Sequence, residues 1–245
     1  MAEDGENGRK KVPPRLISAR LISANRRPTP SDGTRDPERT RRNLLDAAYH
    51  EFSRNGFHGT SVEAICRRAG VSKQILSHHF GSKARAYLAV LEAAYLASRA
   101  GDARLDADDL DPVEAMRNFV GQAFDHLRAN RDFVSLLADE NVNKGRHIRQ
   151  STVLGDVYAP LVARLDAMLR RGEARGVFRP GVDARELYVS ISGLCYFTFS
   201  NTFTLSAVFG TDLMRPEALA VRRAHVVEFV LASLCNTQPP QEPAA

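Results

Sequence analysis

The side chains that could ligate a metal or act as nucleophiles do not converge in this chain. His78 and His79 are adjacent, and neighbours on a helix project about 100° apart, so the pair does not close on one ion without further ligands. Asp106, Asp108, Asp109 and Asp111 lack the glycine and terminal glutamate that a calcium loop needs at fixed offsets. Three cysteines, Cys66, Cys195 and Cys235, are far apart and form no C-x-x-C pair, which argues against a disulfide framework or a thiolate metal site. The sequence holds no G-x-S-x-G, H-E-x-x-H, phosphate-loop or dinucleotide fingerprint. The expectation is a non-enzyme with no cofactor and no metal. What remains is hydrogen bonding and charge: Ser72, Lys73, Gln74, Ser77, His78, His79 and Lys83 crowd into one short stretch just after Gly70.

Local signals place that stretch on helices. Asp36 followed by Pro37 is an N-cap with proline at the first helical position. Leu45, Ala48, Tyr49 and Phe52 recur at i, i+3, i+4 and i+7, and Gly56 offers a left-handed C-terminal cap. Thr60-Ser61-Val62-Glu63 matches a capping box opening a second helix, with Val62, Ile65 and Ala69 inward and a stop at Gly70. After Val71, Ser72 can cap a short third helix, Lys73 to His79, closed by Phe80-Gly81; Ser82 opens a fourth carrying Leu88, Leu91 and Tyr95. Helix, glycine-containing turn, short helix is the helix-turn-helix arrangement, whose second member lies in the major groove of duplex DNA. Further helices are expected near 112–129, 131–142, 156–175, 183–209 and 215–235, with no strand-period run, so the class is all-α.

Charge supports a polyanionic partner for the front of the chain only. The 245 residues carry a net +5. Residues 1–35 hold 8 Lys+Arg against 4 Asp+Glu, residues 36–83 hold 8 against 5, and residues 84–245 hold 18 against 20. The excess is +4, +3 and −2, so all of it lies in the first third. Residues 1–35, rich in Gly and Pro and containing the duplicated Arg15–Ala19 and Arg20–Ala24 pentapeptides, are expected to be a disordered basic arm, either a solvated tail or a contact to the DNA backbone. Residues 237–245 read as a disordered tail. No apolar run reaches the ~18 residues of a membrane span and no secretory core follows the basic start, so a cytoplasmic protein with no membrane partner is expected.

The segment Thr60 to Lys83, Thr-Ser-Val-Glu-Ala-Ile-Cys-Arg-Arg-Ala-Gly-Val-Ser-Lys-Gln-Ile-Leu-Ser-His-His-Phe-Gly-Ser-Lys, resembles the DNA-binding signature of TetR/AcrR-family transcriptional regulators. The resemblance covers residues 36 to about 95, and the later helices fit the family's second domain. It implies an N-terminal three-helix DNA-binding domain at 36–82 and a C-terminal helical effector-binding and dimerisation domain at 83–236. It places Ser72, Lys73, Gln74 and Ile75 at the leading end of the recognition helix, with His78 and Lys83 near phosphates. Thr60, Ser61, Ser77, His79, Arg35 and Arg39 complete the candidate DNA surface. The sequence departs from the family at Gln74, Ile75, Ser77 and His79, where a small residue, Thr, Tyr and another aromatic are usual; the missing Tyr removes a customary phosphate contact. Gln74 can read adenine through paired hydrogen bonds, and Ile75 can pack on a thymine methyl. Phe80 reads as a core plug. Arg39, Arg41, Arg42, Arg67 and Arg68 are either DNA contacts or solvated helix faces.

The expected helix 183–209 holds Tyr188, Tyr196, Phe197, Phe199, Phe203 and Phe209, and a helix apolar on nearly every face must be buried on nearly every face. With the last helix it is expected to form a homodimer contact through Leu187, Ile191, Leu194, Phe197, His225, Val226 and Phe229. Two-fold symmetry then implies a palindromic operator. Phe119, Phe133, Leu137, Asn141, His147, Tyr158, Leu161, Tyr196, Phe199 and Asn201 are candidates for a small-molecule effector pocket, with plain core as the alternative; the resemblance favours the pocket. The reading is an effector-released dimeric regulator, more a repressor than an activator, with a sequence-indifferent architectural DNA-binding protein as the rival. Replacing Gln74 by Ala should relax base preference at one position of each half-site, measured by binding to a set of singly substituted operators. Uniform weakening across the set would contradict that role.

Overall fold

The computed structural model describes residues 36–99 and 110–235. The expected basic arm with Arg35, the aspartates Asp106, Asp108 and Asp109, and the C-terminal tail lie outside them. Ten α-helices follow one another: α1 (Pro37–Gly59), α2 (Val62–Ala69), α3 (Lys73–Phe80), α4 (Lys83–Arg99), α5 (Pro112–Ala129), α6 (Arg131–Val142), α7 (Leu154–Ala174), α8 (Ala184–Ser200), α9 (Thr202–Phe209) and α10 (Pro216–Leu234), with a 3₁₀ turn at Ile148–Gln150. Among the described residues the one extended pairing is an isolated bridge, Phe178 to Cys235. The fold is all-α.

Helices α1 to α3 form a small head around Leu44, Leu45, Phe52, Ile65, Leu76 and Phe80, all buried. Phe80 closes that core while the Arg41 guanidinium lies 5.2 Å above its ring. Helix α4 completes the head with Ala86 and Tyr87 and then runs into the body. There α5 is packed between α8 and α10, burying Met116, Phe119, Val120 and Phe124. Burial of such side chains contributes about 1.5–3 kcal/mol each, which makes this the main stabilisation of the body.

Three local expectations are corrected. Gly56 does not end α1 in the left-handed helical region; at φ 67°, ψ 178° it kinks the helix, which resumes for one short turn to Gly59. That backbone conformation is open essentially to glycine alone. Ser61, not Thr60, caps α2: its Oγ accepts from the Ala64 N–H at 3.1 Å. The Thr60 hydroxyl is turned inward and donates to the carbonyls of Gly56 and Glu51 at 2.8 and 3.0 Å, which ties the kink to the start of α2. Lastly, the expected helix 183–209 is two helices. Asn201 leaves helical geometry at φ −111°, ψ 14°, because its side-chain amide and the Ser200 hydroxyl bond back to the carbonyls of Phe197 and Tyr196 and compete with the helical ladder.

Candidate nucleic-acid interface and ligand cavity

The turn before α3 is set by Gly70, at φ 68°, ψ 33°, whose N–H and that of Val71 bond back to Arg67 and Cys66. Only glycine takes that conformation without cost, so the angle between α2 and α3 is fixed by it. Ser72 occupies the N-cap position of α3 but its hydroxyl makes no cap bond. Ser72, Lys73, Gln74, Ser77 and His78 are exposed on one side of the helix, with Leu76 and Phe80 buried on the other. Ile75 and His79 are half-buried, and Ile75 leans on the core, which leaves less of it for a thymine methyl. Thr60 is buried and offers no hydroxyl to DNA; Ser61 and Arg39 are exposed.

The structure adds constraints that spacing alone did not give. Lys73 is held by Glu63 of α2 in an ion pair, so Lys73 must leave Glu63 to meet a phosphate. Both side chains are more than half exposed. The pairing lowers the Glu63 carboxyl and raises the Lys73 ammonium from their usual ranges, chiefly through the hydrogen bond between them. The Lys83 ammonium lies 4.6 Å over the Phe57 ring. Arg68 pairs with Glu51 at 2.6 Å and Arg42 with Asp36 at 3.9 Å, so these arginines are engaged inside the head.

Head and body meet at a seam built on Asp139 of α6. Its Oδ2 accepts from the Phe57 N–H, freed by the Gly56 kink, at 2.8 Å and from the Tyr87 hydroxyl of α4 at 2.7 Å. A Cβ at Gly56 would lie 2.5 Å from Asp139 Oδ1, so kink and carboxylate require each other. Beside them His147 is buried, Nδ1 2.9 Å from Glu140 Oε2, with its ring 4.3 Å from Phe57 and 4.8 Å from Tyr87. His147 therefore belongs to the seam rather than to an effector pocket.

A cavity of ≈340 Å³ lies between α4, α5, α6, α7 and α8, and Phe119, Phe133, Leu137, Asn141, Tyr158 and Tyr196 line it. Tyr95, Ser98, Arg99, Gln122, His126 and Tyr188 also line it and were not anticipated. Their signal in the sequence was i, i+3/i+4 spacing, Tyr95 with Ser98 and Arg99, Gln122 with His126, which is indistinguishable from an ordinary solvated face without the opposing helices. The remaining candidates lie elsewhere. Leu161 is packed in the core, Phe199 is buried against Phe124 at 5.0 Å and under the Arg131 guanidinium at 5.0 Å, and Asn201 joins α8 to α9. Among the described residues no group of three or more His, Cys, Asp or Glu is placed to hold a metal, and no helix is long and apolar enough to cross a membrane.

Comparison with known proteins fits this geometry. The family models for bacterial regulatory proteins of the tetR family and for the tetracyclin repressor-like C-terminal domain match residues 44–90 and 112–230. The HTH-type transcriptional repressor NicS of Pseudomonas putida is 34% identical over 197 residues, covering 80% of this chain and 93% of that protein. The chain belongs to the TetR family. A second relative, the HTH-type transcriptional repressor SCO4008 of Streptomyces coelicolor, is 28% identical over 62% of this chain and 74% of its own. The crystal structure of the transcriptional regulator SCO4942 of the same organism superposes with a TM-score of 0.59 at 25% identity, covering 80% of this chain and 98% of that one. This TetR-family protein is thus a DNA-binding transcriptional regulator whose helix-turn-helix is α2 and α3. If Lys73 contacts a phosphate in such a regulator, Glu63 competes with DNA for it. Glu63→Gln should tighten binding to duplexes of any sequence about two- to fivefold at low salt, as read by fluorescence anisotropy. Unchanged affinity, or a gain confined to one sequence, would contradict the competition.

Proposed function

We propose that this regulator is a repressor that binds a palindromic operator as a homodimer and is released by a small molecule in the α4–α8 cavity. One observation carries the reading: α4 spans both sites. It begins at Lys83, beside the recognition helix, and ends at Tyr95, Ser98 and Arg99 in the cavity wall, a rigid rod of about 25 Å. A ligand that binds one tilt of α4 better than another shifts the head by its difference in affinity for the two states. Tyr87, one turn from its start, ties the same helix to Asp139.

The dimer reading is supported by two apolar stripes. On α8, Val189 and Phe197 are 58% and 52% exposed with Gly193 bare between them; on α10, Val221 and Phe229 are 72% and 55% exposed with His225 between. Each stripe runs i, i+4, i+8 on one helix face. Arg222 donates to Thr198 Oγ1 and the Leu194 carbonyl at 3.0 and 3.2 Å, which holds α8 and α10 side by side so that the stripes adjoin. Leu187, Ile191 and Val226, expected at the interface, are 7%, 1% and 0% exposed and face their own protomer's core instead. Leu194 is half-buried. Phe197, His225 and Phe229 remain for the partner, and an isologous contact of four helices covers them.

Selection of bound DNA from a random duplex pool should return an inverted repeat. Replacing Phe197 and Phe229 together by Glu should give a species of the 27.1 kDa subunit mass by light scattering where the unaltered chain gives twice that, with operator affinity lowered at least about tenfold because charges would be forced into an apolar contact. An unaltered chain of single mass, or equal affinity for selected and random duplex at matched salt, would overturn the proposal; the latter result is that of an architectural protein.

A further inference from the structure

Given the reading of this cavity as the effector site, its wall restricts what can occupy it. One polar atom in the wall is unmet: the buried Nε2 of His126 has no hydrogen-bond partner in the protein. Its protonation follows from the other ring nitrogen. Asn130 Nδ2 donates to the His126 carbonyl at 2.7 Å and lies 3.3 Å from His126 Nδ1. The carbonyl fixes which way the amide points, so Nδ1 accepts and the ring proton sits on Nε2. Burial, and to a lesser degree the Arg99 charge, holds this imidazole below its usual range, so it stays neutral near pH 7. The wall therefore offers an uncharged N–H, and an unmet buried donor destabilises the protein until an acceptor on an occupant reaches it.

A charge on the occupant finds no counterpart there. Among the described residues the lining contains no aspartate or glutamate to offset a cation. Its guanidinium, that of Arg99, already has partners within the protein: it donates to Ser98 Oγ at 3.0 Å, its carbon lies 5.1 Å from the Tyr158 ring centroid, and these are not its only contacts. Moving an ion from water into such a site is unfavourable without a countercharge to meet it. What the wall does supply is a chain of rings. Tyr95 is 5.4 Å from Phe133 and 5.7 Å from Tyr158, and Tyr158 is 5.9 Å from Tyr188, each pair edge to face. Such a chain suits a flat ring, which meets edges and faces together. Burial pushes the Tyr95 phenol up to about 12, so the ring wall is itself uncharged at that position. At ≈340 Å³ the space is near the lower end of ligand pockets, about 300–1,000 Å³, and holds one or two fused rings.

We infer that the effector is an uncharged aromatic molecule of one or two rings with a ring nitrogen or carbonyl oxygen on its edge, the ring lying among Tyr95, Phe133, Tyr158 and Tyr188 and the edge atom accepting from His126 Nε2. The inference rests on the effector-site reading above. Equilibrium dialysis of the full chain without DNA, near pH 7, tests it with two isosteric pairs, quinoline with naphthalene and 1-indanone with indane. At least one acceptor-bearing member should bind at least about fivefold more tightly than its hydrocarbon, the ratio expected when a buried donor gains its partner. The anion 1-naphthoate and the cation N-methylquinolinium, whose ring nitrogen no longer accepts, should each bind more weakly than quinoline. His126→Phe keeps a ring at the 5.7 Å edge-to-face contact with Phe133, and in this variant, checked for folding by its melting transition, the two members of each pair should bind alike. Parity within both pairs in the unaltered chain, tighter binding by either ion, no binding by either acceptor-bearing compound, or a preference that survives in His126→Phe would overturn the inference. If the variant does not fold, the comparisons in the unaltered chain decide. The same compounds added to the operator complex separate the two readings: one that binds yet leaves the complex intact supports the ligand class and defeats effector release, whereas release by other small molecules with no binding by quinoline or 1-indanone defeats the class alone.

Discussion

One carboxylate stands at the centre of the seam between head and body. Asp139 accepts the N–H that the Gly56 kink sets free and the hydroxyl of Tyr87, so the end of α1, the first third of α4 and the last turn of α6 meet at one group. Hydrogen bonds to a charged acceptor contribute about 1.5–3 kcal/mol each where water is excluded, and a broken one leaves its donor buried and unmet. The aromatic ring of Phe57, stacked among Tyr87, His147 and the Lys83 ammonium, fills the space around the bonds. The seam fixes α4 to α1 and α6 near its N-terminal end.

The release proposed above needs both ends of that helix to be engaged. At one end Lys83 rests on Phe57 and lies close to α3; at the other Arg99 covers Tyr158 in the cavity wall. Helix α6 has the same double character, with Phe133, Leu137 and Asn141 lining the cavity and Asp139 at the seam. In the proposed release, a change in the cavity that shifts either helix would act on the other through Asp139. In the head itself Lys73 is paired with Glu63.

Much of this was legible from residue order. The caps at Asp36 and Ser82, the Gly70 turn and the buried plug Phe80 are local features, and local rules recover them. The cap at Ser61 was misplaced by one residue because Thr60 and Ser61 are chemically equivalent until a tertiary bond chooses: Thr60 is claimed by carbonyls of α1. On α8 the difficulty was one of faces. A helix apolar all round does not say which stripe meets its own core; burial places Leu187 and Ile191 inward and leaves Val189 exposed. Asp139 could not be singled out at all. Its partners are 82 and 52 positions away, and an aspartate near a helix end beside Glu140 and Asn141 reads as a solvated surface until the fold brings Phe57 and Tyr87 to it.

The most direct test of this coupling is a double-mutant cycle on urea unfolding with Asp139→Asn and Tyr87→Phe. If Asp139 bridges head and body as described, the pair is non-additive, with an interaction energy of about 1 kcal/mol or more. Additive losses would show that the two side chains do not act on each other, and the seam would then not be what joins the cavity to the recognition helix.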